Sequence, residues 1–111
     1  MDPISSATII KALDGLSARA VATAENIANA GSPNFRPLRV SFEAALASAA
    51  REGRGSIETV RPLIHSDPAA GGVRVDMELA AAAQTSSRYA ALVDLLGRQM
   101  QLESLAISGN R

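Results

Sequence analysis

The chain has 111 residues, enough for about one domain, with no cysteine or tryptophan and only 3% aromatic residues, so a disulfide framework and thiolate chemistry are excluded. Eleven basic and eleven acidic side chains cancel; residues 1–30 carry two basic and three acidic groups, 31–75 six and four, and 76–111 three and four. No segment has the basic excess that a phosphate backbone requires, so a nucleic-acid partner is not expected.

The hydrophobic share is 47%, but much of it is alanine. Small side chains bury little area each, so this composition suits helices packed closely on other helices, in the same chain or another. The first residues, "MDPISSATIIKALDG", lack the basic start, long apolar run and cleavage site of a secretory signal. No apolar stretch approaches the roughly 18–20 residues that span a bilayer.

Residues 1–30 form the first part, with an amphipathic helix expected from Ser5 to Ala30, capped by Ser5 or Ser6 after Pro3. Leu13, Ala20 and Ile27 fall on one heptad line and Ile9, Leu16 and Ala30 on its companion, interrupted only at Thr23. Gly31 is the expected left-handed residue at the helix end, and Pro33 prevents an immediate restart. Two asparagines stand in the last turn, Asn26 and Asn29, although asparagine is a weak helix former. They either offer amides to the unpaired carbonyls of a fraying end or form a polar latch that fixes register against an adjacent helix. The residues alone leave both readings open.

Residues 31–75 hold every proline except Pro3 and most of the glycines. "SFEAALASAARE" suggests a short helix after a Ser41 cap, and "ETVRPLI" and "VRV" suggest short extended pieces. The remainder reads as loop, a linker or a segment that orders on binding.

Residues 76–111 form the third part, with a long helix expected from Asp76 to Ile107, capped by Asp76 and favoured by Glu78 near its positive end. Leu79, Val93, Met100 and Ile107 share one heptad line, with Ala82, Tyr89 and Leu96 beside it. Leu92, Leu95, Leu102 and Leu105 point elsewhere, so more than one face is apolar and several neighbouring helices are expected. The fold class expected is all-α: two long terminal helices pairing as a coiled coil, joined by a Pro/Gly-rich, partly irregular middle with a short helix.

No catalytic constellation emerges. His65 stands near Asp67 with no second His or Cys to complete a metal site, "GRG" at 53–55 lacks phosphate-loop spacing, and no serine lies in a nucleophile elbow. Neither an enzyme nor a cofactor, metal or small-molecule substrate is expected.

"ENIANAGSPNFR", residues 25–36, resembles the signature of the flagellar axial proteins (rod, hook and hook-associated), where a first helix ends in a run like "NIANA" followed by Thr-Pro-Gly-Tyr. Here Ser32-Pro33 stands for Thr-Pro and Asn34-Phe35 for Gly-Tyr. "VRVDMEL" and "SSRYAALVDLLGRQMQLESLAISG" resemble the last-helix region of proximal rod proteins of the FlgB type, with an "RY" pair and an "AI-x-G" ending. The resemblance covers roughly residues 5–43 and 73–109; Thr85-Ser86-Ser87 and Arg36-Pro37-Leu38 depart from the family pattern.

The resemblance implies a structural subunit of the flagellar basal-body rod. Its terminal helices would pack in a helical homo-oligomer around the export channel, beside other rod proteins and the MS ring with its rod-junction adaptor. It also implies passage through the flagellar type III export apparatus, without a cleaved signal, to the periplasmic rod. Asn26, Asn29, Pro33 and Phe35 would then act in assembly, with Leu13, Leu16, Ile27, Tyr89, Leu92, Val93, Leu96, Met100 and Ile107 in packing. The alternatives are another axial rod subunit or a soluble helical secretion chaperone or adaptor.

Overall fold

A computed structural model describes residues 1–69 and 71–109; residue 70 of the middle part and the last two residues of the third lie outside them. The elements in chain order are α1 (Pro3–Ala28), β1 (Leu38–Ser41), α2 (Glu43–Glu52), α3 (Arg54–Thr59), β2 (Leu63–Ser66) and α4 (Val75–Gly109). The chain is mostly helical with two long terminal helices, but it is not all-α, because β1 and β2 pair antiparallel. The Pro/Gly-rich middle is therefore folded: "GRGSIET" contains α3, and "VRV" runs into α4 instead of making a strand.

Helix α1 starts earlier than the serines suggest. Asp2 is the N-cap, accepting from the Ser5 N–H at 2.8 Å and the Ser5 hydroxyl at 2.9 Å, with Pro3 opening the helix. A carboxylate accepts without having to orient a proton, and proline has no N–H to leave unpaired at that position. Those bonds from Ser5 hold the Asp2 carboxyl below its ordinary value. At the other end Asn34, not Gly31, takes the left-handed conformation, with φ 61°; asparagine tolerates it better than most L-residues. The Ser41 cap is likewise replaced, because Ser41 closes β1 and Phe42 precedes α2 without a side-chain cap. Asp76 lies inside the first turn of α4, which begins one residue earlier at Val75.

Helix α1 is the hub, with α4, β1, α2 and α3 packed against it. It runs antiparallel to α4: Asn26 meets Glu78 at one end, and the Met1 amino group donates to Gln99 and Glu103 at the other. The molecule measures 64 × 27 × 13 Å, its long axis comparable to the roughly 53 Å of a 35-residue helix.

The core lies between α1 and the middle segment, built from Leu16, Val40, Phe42, Leu46, Ala49 and Ile57, the last fully buried. Gly15 lets the Phe42 ring reach the α1 backbone; a Cβ there would overlap the ring. Alanine normally stabilises a helix interior by about 1 kcal/mol over glycine. Here Gly15→Ala is expected to destabilise by about 1–3 kcal/mol, because overpacking dominates; the urea midpoint checks this.

Arg19 clamps the same junction. Its guanidinium lies 4.9 Å over the Phe42 ring and forms a two-pronged pair with Glu43, both bonds 2.7 Å. Arg19 draws the Glu43 carboxyl down from 4.5 to about 2, chiefly by hydrogen bonding. A depressed carboxylate adds stability above its unfolded value and loses it as pH falls through the folded one. Stability should therefore drop between pH 4.5 and about 2, by no more than about 1 kcal/mol from this half-exposed pair. Glu43→Gln should remove that component from a pH series of urea midpoints.

Candidate functional site

The two strands and α1 form a closed hydrogen-bonded unit. The Asp67 N–H donates to the Pro37 carbonyl at 3.1 Å in the register Leu38↔Ser66 and Val40↔Ile64. In an antiparallel ladder, alternate residues turn their backbone groups to opposite edges. Leu38 and Val40 therefore present theirs to α1, which meets them with side chains. Asn26 Nδ2 donates to the Leu38 carbonyl at 3.0 Å and its Oδ1 accepts from the Leu38 N–H at 2.8 Å, while Arg19 donates to the Val40 carbonyl at 2.7 Å. Two side chains on α1 thus do the work of a neighbouring strand.

Asn26 also ties α4 to this unit. Its Nδ2 donates to Glu78 Oε2 at 3.0 Å, and the other Glu78 oxygen accepts from Arg39 Nη1 at 2.9 Å. Asn26 is fully buried and Glu78 only 2% exposed. A buried carboxylate needs such partners, since an unpaired one is costly to desolvate. Asn29 behaves differently: it caps α1, donating from Nδ2 to the Glu25 carbonyl at 2.9 Å, and accepts from the Ser32 hydroxyl at 3.2 Å. Asn26 thus reaches across to β1 and α4, whereas Asn29 closes the end of its own helix.

The second feature is the polarity of α4. The heptad line Glu78, Thr85, Leu92, Gln99 faces inward, with Glu78 and Thr85 buried and the other two half-buried. The more apolar line faces out: Leu79 is 56% exposed, Val93 46%, Met100 62% and Ile107 66%. Tyr89, Leu95, Leu102 and Leu105 are exposed as well, whereas Leu96 is half-buried. On α1, Leu16 is buried and Leu13 and Ile27 are half-buried; Thr23 does not break the seam, because its buried hydroxyl donates to the Arg19 carbonyl. Pro33 is exposed in the turn after α1, and the half-buried Phe35 packs near Arg36 and Gly71.

Sequence reasoning missed Arg19, Leu38, Arg39 and the anchoring role of Glu78. The alternation of "LRVS", which places Leu38 and Val40 on one side, was the available signal for β1. His65 is exposed on β2, and Asp67 turns its carboxylate to the Ala69 N–H at 3.0 Å. Among the described residues, no three His, Cys, Asp or Glu side chains group closely enough for a metal ion, and no helix is long and apolar enough to cross a membrane.

No protein-family model matches the sequence, and no curated protein matches it.

Proposed function

We propose that the chain is a structural subunit of the bacterial flagellar basal-body rod, of the proximal rod type. Its terminal helices pair as a coiled coil and pack with copies of themselves and with other rod proteins into a helical shaft. The shaft surrounds the export channel and transmits torque through many helix–helix contacts, with no chemical step and no cofactor. The MS ring with its junction adaptor lies at its base. The subunit reaches the periplasm through the flagellar type III export apparatus, without a cleaved signal.

The observation that carries this reading is the outward apolar line of α4, from Leu79 to Ile107. Covering the exposed half of one such side chain contributes about 1 kcal/mol, so a helix with many of them gains most when other helices enclose it. A narrow body 64 Å long and 13 Å thick suits side-by-side packing. The resemblance gains physical sense at Asn34: it occupies the place of the family's glycine, and its φ of 61° is a conformation glycine adopts freely.

Image reconstruction of isolated basal bodies tests the proposal. The expected result is α1 and α4 in the wall next to the channel, with the β1–β2 and α2–α3 layer outside it. Absence of the chain from basal bodies, with a stable monomer or dimer at working concentrations, would favour the adaptor reading. Mass spectrometry of the incorporated protein checks the export route, which an N-terminus trimmed by a signal peptidase would exclude.

A further inference from the structure

The seam between α1 and α4 is lined mostly by small groups, with Leu16 and Tyr89 the larger ones. Leu16, Ser17 and Ala20 on α1 face Ala82, Thr85 and Ser86 on α4 across a groove of about 400 Å³. Methyl and hydroxyl groups interdigitate weakly, so shape alone selects one register poorly. The inward line of α4 has heptad spacing, Glu78, Thr85, Leu92, Gln99, with Leu92 packed against the core. A shift by one heptad, about 10.5 Å along the helix, therefore returns the same face of α4 to α1. The connection into α4 carries Gly71 and Gly72. At the far end, the Met1 amino group bonds Gln99 and Glu103, and Glu103 is exposed, so that tie holds register weakly.

The two registers differ at Leu92, whose place on the core Gln99 would take, and most sharply at the buried node. Only Glu78 on the inward line carries a carboxylate, and the node has a donor for each of its oxygens, Asn26 Nδ2 and Arg39 Nη1. With α4 displaced by one heptad, Thr85 would stand there with a short, uncharged hydroxyl, and Arg39 would lose its carboxylate partner. We infer that the Asn26–Glu78–Arg39 node selects the register of α4 along α1, and that α4 without it slides by one heptad. Buried polar groups that fix helix register at the expense of stability are known from coiled coils. The inference stands on this chain's internal contacts and does not depend on the rod assignment.

The cysteine-free chain allows a direct test with the purified full-length protein. Ala20→Cys with Ala82→Cys reports the register described here, and Ala20→Cys with Tyr89→Cys reports the displaced one. Both partners line the same groove as Ala20, but they stand seven residues apart on α4. A disulfide needs Cα atoms within about 7 Å and the two α4 positions lie about 10.5 Å apart along the helix, so the faster-closing pair reports the register. With the node intact, mild oxidation should close the Ala20–Ala82 pair and leave the Ala20–Tyr89 pair open. In Asn26→Ala or Glu78→Ala backgrounds, the displaced pair should close about tenfold faster or more, in proportion to the population of that register. Crosslinking still confined to the Ala20–Ala82 pair would overturn the inference, because packing would then fix the register. Loss of both crosslinks would overturn it as well, since the node would then be holding the fold together and not choosing between registers.

Discussion

Asn26→Ala should destabilise the free protein by about 3–5 kcal/mol, the range for breaking a buried, hydrogen-bonded charge network. The truncation strands the Leu38 N–H and carbonyl and, while α4 keeps its register, one oxygen of Glu78. Because domains are stable by only about 5–15 kcal/mol, this is a large fraction of the total. Asn29→Ala, by contrast, should cost no more than about 1 kcal/mol, since it removes one exposed bond to the Glu25 carbonyl and another to Ser32. Urea unfolding of the two variants side by side is the measurement. Equal losses would mean that water enters at Leu38 and replaces the Asn26 amide.

Met100→Asp should have the opposite signature. Met100 is 62% exposed in the free chain, so its replacement should leave stability within about 0.5 kcal/mol. In a rod, the same carboxylate would meet an apolar neighbour and cost several kcal/mol per subunit. A strain carrying it should make normal amounts of the protein, fail to swim in motility agar and yield few basal bodies. Swimming with normal rods would remove Met100 from the subunit contact. Ile27→Asp perturbs both states, because Ile27 is half-buried in the monomer, and it discriminates less well. His65→Ala, on the exposed face of β2, serves as the control and should swim normally.

The long helices were legible because periodicity and composition are local properties. The boundaries of α1 shifted because Asp2 outcompetes the serines as a cap, a preference that depends on which oxygen reaches which N–H. The sheet was harder to read. Both strands are only four residues long, and β1 owes its edge pairing to Asn26 and Arg19, which precede it by a dozen residues or more. The direction faced by α4 was hidden for a different reason. Hydrophobic patterning assumes that the apolar line points into the molecule, whereas Glu78 and Thr85 hold the inside of this helix and Met100 and Ile107 the outside. A polar seam satisfied by specific partners leaves no signature in hydrophobicity. It appears only when those partners are brought together.

The pairing of β1 has a consequence for how the folded chain avoids its own kind. Strand edges invite other strands wherever their backbone groups stand open. On the β1 side, recruitment is hindered because Asn26 and Arg19 occupy the Leu38 N–H, the Leu38 carbonyl and the Val40 carbonyl, which an intruding strand would need. On the β2 side, the ladder alternation turns Ile64 and Ser66 outward, and the next outward positions are Pro62 and Pro68, which have no N–H to offer. An incoming strand would find two residues to grip and a proline at either end. The molecule exposes its apolar side chains mainly on its helices and little open backbone on its sheet, so the surface it offers to a copy of itself favours helix contacts over strand addition.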